Sequence, residues 1–146
     1  MTQKDKELLL KDLCARLDTN LVCSIYRIDD YGVGYRDEIL SGYCKGDIWD
    51  EFYFGDDCGI GIDNVSKIKP YLIPLSKMTE EQKKYINDRW GVNENFDFEI
   101  DPNWGKFFVE LGDVVGFISW CYENHFDING LIPRGLAEDA TDKNVY

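Results

Sequence analysis

His125 is the only histidine in the chain. Histidine is the usual general base and metal ligand near neutral pH, so a single copy confines that chemistry to one address. Cys121 lies four residues earlier. That spacing puts both side chains on one face of a helix and supplies half of a zinc site. The other half would have to come from Cys14, Cys23, Cys44 and Cys58, and none of these forms a C-x-x-C knuckle. Cys121 and His125 would also suit a thiol–imidazole nucleophile, but they sit on what reads as a packing helix. A buried thiol beside a capped helix end accounts for the pair. The sequence therefore assigns no catalytic residue, no metal ligand and no cofactor.

Carboxylates are the second resource. Asp29-Asp30, Asp47, Asp50-Glu51 and Asp56-Asp57 cluster around expected turns. A magnesium site uses one or two such groups together with a substrate phosphate. A phosphate site also draws on Lys, Arg or a Gly-rich loop opening a helix. Gly59-Ile60-Gly61 is only a G-x-G fragment, with no third glycine and no helix expected after it. Solvated turns explain these acids first. Where they serve more than solubility, Asp29, Asp30, Asp47, Asp50, Glu51, Asp56 and Asp57 form the candidate surface for a basic protein partner. Trp49, Phe52, Tyr53 and Phe54 lack the interleaved basic residues of a base-stacking face, so core packing is their reading. Arg134, between Pro133 and Gly135, is expected to pair with one of the many carboxylates.

Something must hold these residues in place, and the composition supports a core. Of 146 residues, 44% are hydrophobic and 14% aromatic, which suits one globular domain over 1–146. Lys plus Arg number 16 against 28 Asp plus Glu, giving a formal charge of −12. This balance argues against binding nucleic-acid backbones or anionic membranes. No stretch is long and apolar enough for a membrane span, and the polar start does not read as a secretory signal. Five cysteines, an odd number without tight spacing, are expected to be reduced and mostly buried, in cytoplasm.

Residues 5–17 show helical spacing through Leu9 or Leu10, Leu13, Cys14 and Leu17, with Lys6, Lys11, Asp12 and Arg16 between them. Four strands are expected at 21–28, 35–43, 48–54 and 58–62, an antiparallel meander. A helical turn near 64–67 and an extended edge segment follow, because Pro70 and Pro74 forbid a long helix or a central strand. Thr79 and Gln82 form a capping box for a helix running to about Trp90, ended by Gly91. A hairpin of 96–100 with 106–111 is preferred over one helix across 104–125. A last helix follows from Asp113 or Val114 to Asn124, with Val114, Val115, Ile118, Cys121 and Tyr122 inward. The tail from His125 is mostly irregular, pinned by Phe126, Leu131, Ile132 and Leu136, with a short helix near 134–138.

The fold class is α+β: an N-terminal helix, an antiparallel sheet of four to six strands, open or partly closed into a barrel, and two further helices packed on it. Three stretches stand out together: LKDLCARL at 10–17, IKPYLIPLSKMTEE at 68–81 and HFDINGLIPRGLA at 125–137. Their spacing resembles a family of short uncharacterised proteins carried by phages, prophages and mobile elements of gut Bacteroidales bacteria. The 29–49 region is longer and more acidic here than in that family. The resemblance implies a context, a small accessory protein made in a bacterial host's cytoplasm, and carries no activity. The expected function is a non-enzymatic acidic binding protein that modulates a host or defence protein. The alternatives are a small metal-dependent enzyme acting on a nucleotide or phosphorylated metabolite, and a phage structural or assembly component.

Overall fold

The first helix is set by a local signal at its start. Thr2 Oγ1 accepts from the Asp5 N–H and the Asp5 carboxylate accepts from the Thr2 N–H, a capping box that starts α1 at Gln3–Ala15, two residues earlier than the apolar spacing predicts. The computed structural model describes residues 1–29, 32–45, 50–55, 58–98 and 111–146. Leu9 and Leu13 are buried as expected, but Cys14 is exposed, while Asp12 and Arg16, read as the polar face, are fully buried.

The meander follows. β1 (Val22–Asp29) pairs antiparallel with β2 (Gly32–Lys45), from Val22↔Ile39 to Asp29↔Gly32. β2 then bulges between Leu40 and Gly42 and pairs its second half with β3 (Asp50–Phe54), which pairs with β4 (Cys58–Gly61). A 3-10 helix over Ile62–Lys67 leads into β5 (Ile68–Leu72). The sheet order is β4-β3-β2-β1-β5-β6, where β6 is Glu138–Asp139. The sheet is open rather than closed into a barrel, and it is mixed, because β5 and β6 run parallel.

Two expectations about the ends of the sheet need correction. The segment after residue 67 is not an edge, since β5 lies between β1 and β6. β6 meets only Tyr71 and Leu72, so Pro70 has a ladder on one side only, a setting in which a strand tolerates proline. In the tail, 134–138 is not helical; turns lead directly into β6.

The inner sheet face carries Cys23, Ile25, Leu40, Phe52, Phe54 and Ile68, and α1 closes over it with Leu9 and Leu13. Leu131 and Leu136 of the tail join this cluster, as expected of pinning residues. Their loop is organised by buried Asp127, whose two carboxylate oxygens accept from the N–H groups of Leu131 and Ile132.

A second cluster gathers Met78, Ile86, Val92, Phe117, Cys121 and Phe126 around α2 (Glu80–Trp90) and α3 (Leu111–Glu123). α2 starts at the Thr79–Gln82 capping box and ends on Gly91 at φ 63°, as its local sequence requires. α3 differs from expectation. It already includes Leu111 and Gly112, ahead of the expected start at Asp113 or Val114, and Val115 faces water while Phe117 and Cys121 are buried. The strand expected at 96–100 is not formed over 96–98. Asn93 Oδ1 accepts from the Asn95 and Asp97 N–H groups, Phe96 sits at φ 64°, and a lone bridge joins Phe98 to Val92. The rest of that hairpin, 99–110, lies outside the described residues.

Candidate functional site

Paired residues in a ladder share a face. Ile28 stands opposite Val33, Tyr26 opposite Tyr35, Ser24 opposite Asp37 and Val22 opposite Ile39, all on the face turned away from α1 and the core. No described element covers the distal part of this face. Ile28 is 72% exposed, Val33 65%, Tyr35 61% and Ile39 48%. The Tyr26 and Tyr35 rings meet edge-on with centroids 5.2 Å apart, which gives the patch a rigid centre. Asp37 lies in the same row and accepts from the Tyr71 hydroxyl at 2.9 Å. Past the bulge the face continues to Tyr53, opposite Gly42, and to Glu51 on the same side of β3.

Of the seven acids singled out in the sequence, Asp30, Asp47, Asp56 and Asp57 lie outside the described residues. Asp29 ends β1 opposite Gly32, one rung beyond the Ile28–Val33 pair. The alternation of β3 separates the remaining two. Asp50 falls on the side of Phe52 and accepts from the Tyr43 hydroxyl at 2.9 Å, whereas Glu51 falls beside Tyr53 on the uncovered face. The Glu51 charge raises the Tyr53 pKa above its ordinary value, and the hydrogen bond to Asp50 does the same for Tyr43, so both phenols keep their protons. Sequence reading missed Ile28, Val33, Tyr35, Asp37 and Ile39. Their alternation was visible, but it marks a face without saying whether that face is covered.

The thiol–imidazole pair does not form as expected. Cys121 is inside α3, but His125 follows the helix end at φ 59°, so the two do not share a helix face. Burial pushes the Cys121 thiol up to about 12, which withholds the thiolate a nucleophile needs. Burial, with Arg16 nearby, lowers His125 to about 4. Its ring stacks on Tyr146 at 3.8 Å, and its Nδ1 is buried with no hydrogen-bond partner among the described residues. Cys14 and Cys44 are exposed, contrary to the expectation of mostly buried thiols, while Cys23 is buried. Among the described residues no group of three or more His, Cys, Asp or Glu is placed to hold a metal ion.

Beside His125 lies a buried polar cluster. Arg16 Nε donates to Asp12 Oδ2 at 2.8 Å, and its Nη2 donates to the Phe126 carbonyl at 2.7 Å. Nη1 reaches the Tyr122 carbonyl, and the guanidinium lies 4.6 Å from the Tyr122 ring centroid. Asn129 Nδ2 donates to Asp12 Oδ1 at 2.8 Å. These contacts fasten α1 to the end of α3 and the tail. They saturate both charges, which suits a structural clamp better than a reactive site.

Arg134 pairs with Asp5 at 3.2 Å, on the rim of a concavity of about 510 Å³ between the start of α1 and β5. Of the described candidate acids, Asp29, Asp50 and Glu51, none lines it. No helix among the described residues is long and apolar enough to cross a membrane. No family model, curated protein or solved structure matches the chain.

Proposed function

We propose that this chain is a non-enzymatic binding protein, an accessory protein of a phage or mobile element, that docks a basic host or defence protein on the uncovered face of β1 and β2. One observation carries the reading: Ile28, Val33, Tyr35 and Ile39 stand exposed side by side on two paired strands, with Asp37 among them. Scattered exposed apolar residues are ordinary, but a contiguous patch rimmed by polar groups marks an interaction surface. Tyrosine and aliphatic anchors supply the area, and Asp37 and Glu51 supply the preference for a cationic rim. The overall charge of −12 steers such a partner from a distance.

The test is affinity capture from host lysate at low and high salt, using the wild-type chain and its Tyr35→Asp and Val33→Asp variants. The reading expects a basic protein to be retained by the wild type, less of it at high salt, and none by the variants. Retention indifferent to both variants and to salt, or tight binding of DNA, would refute it. The same face favours one second reading, an assembly component in which another copy covers it. Concentration-dependent dimerisation in sedimentation, abolished by Val33→Asp, would select that reading.

A further inference from the structure

We propose that a cleft between β1, β4 and the 3-10 helix binds a phosphate group. The ladder of β1 with β5 ends at the Ile25–Ile68 pair, while its ladder with β2 continues to Asp29. Beyond that point the edge of β1, the strand β4 and the 3-10 helix over Ile62–Lys67 enclose a cleft of about 250 Å³. Arg27, Lys67, Asn64 and the segment Gly59–Gly61 are among its walls. In a chain with 28 acids and 16 bases, the described residues lining this cleft include two cations and no carboxylate.

Its side-chain donors differ in how far they are engaged. Arg27 Nη2 donates to Glu38, which holds the guanidinium in place beside the cleft. Lys67, in the last turn of the 3-10 helix, and Asn64, one turn earlier, engage no described residue through their side chains. Two carboxylates adjoin the cleft without lining it: Glu38 is paired with Arg27, and Glu51 lies over Gly59 on the outer face and accepts from the Tyr53 hydroxyl.

A guanidinium, an ammonium and a side-chain amide on the walls of one small space suit a tetrahedral oxyanion. The cleft falls below the roughly 300–1,000 Å³ typical of drug-sized ligands, which points to free phosphate or an ester with a small substituent rather than a dinucleotide. The net charge opposes any anion at long range. That repulsion is screened beyond about 8 Å at physiological salt, whereas the three donors act at contact.

Calorimetric titration with inorganic phosphate and with O-phosphoserine, alongside amide NMR spectra, tests the assignment. Saturable binding is expected, with shifts at Gly59, Gly61, Asn64 and Lys67. Lys67→Ala and Asn64→Ala should each weaken it, Lys67→Ala by about tenfold, the loss of one charge-assisted hydrogen bond. Lys11→Ala removes the same charge from the exposed side of α1 and should leave affinity unchanged. Tighter binding of the ester identifies an esterified ligand, and tighter binding of inorganic phosphate identifies the free anion. Absence of saturation with either probe, or equal weakening by Lys11→Ala and Lys67→Ala, overturns the proposal.

Discussion

At the scale of the residue, Asp12 and Arg16 matter most to stability. Removing one partner of a buried ion pair strands the other in a medium that cannot solvate it, at a cost of about 3–5 kcal/mol. Arg16→Met should therefore lower stability by about that much in urea unfolding, and adding Asp12→Leu should recover a large part of the loss. The sequence showed this pair only as an i,i+4 couple on the polar side of a helix. Its burial depends on the Phe126 carbonyl, 110 residues away in the chain, and periodicity holds no information at that range. His125 gives a second test. Its folded pKa of about 4 lies below the ordinary 6.5. The unfolded chain therefore takes up the proton first as pH falls, and the stability that the neutral ring contributes above pH 6.5 is lost progressively toward pH 4. With the ring in partial contact with water, this amounts to about 1–2 kcal/mol rather than the full value of the shift. Arg16 and the stacked Tyr146 face the ring, and Arg16 pushes in the same direction as burial. Asn tolerates the left-handed backbone of this position, so His125→Asn should fold and flatten the acid limb of a Tm-against-pH curve. An unchanged limb would show that other groups set the acid sensitivity.

At the scale of the element, the approach of α2 to α3 depends on a missing side chain. A Cβ on Gly116 would lie 2.6 Å from Trp90 Nε1. Trp90 cannot easily retreat, because its ring packs against Tyr85, Phe117 and Trp120. Alanine normally improves a helix over glycine by about 1 kcal/mol. Here overpacking should win, and Gly116→Ala should destabilise by about 1–3 kcal/mol. Gly112, in the same helix, meets no described atom within 4 Å, so Gly112→Ala should be neutral or stabilising. Thermal melts of the two variants separate propensity from packing. Elements of this kind differ in how much of them could be read from sequence. Thr79, Gln82 and Gly91 specify the ends of α2 through bonds to their own neighbours, and they were legible. The inward face of α3 was not, since Phe117 rather than Val115 is buried only because α2 packs where it does. The 96–98 stretch alternates like a strand, yet the two bonds accepted by the Asn93 side chain hold the chain in a turn just before it.

At the scale of the whole molecule, the sheet has one face built over by α1 and the tail and another left partly bare, and charge is distributed on that second face. Lys69 lies in its row but is paired with Glu138, while Asp37 and Glu51 are held by tyrosine hydroxyls, which leaves their negative charge intact. Such a surface separates two contributions that an ordinary interface mixes. Long-range steering by a charge of −12 acts on the association rate and weakens with salt, whereas the apolar anchors act on dissociation. For the captured basic partner, raising ionic strength from 50 to 500 mM, values on the order of a tenfold range, should slow association with little change in dissociation. Tyr35→Ser should do the reverse, raising the dissociation rate about tenfold or more, as loss of a buried aromatic anchor does. Because Tyr35 is largely exposed in the free chain, Tyr35→Ser should change folding stability by no more than about 0.5–1 kcal/mol. Surface plasmon resonance across salt, run beside urea unfolding, reads all three quantities. Were Tyr35→Ser to unfold the chain while leaving dissociation unchanged, the bare face would be part of the scaffold and the docking surface would have to lie elsewhere.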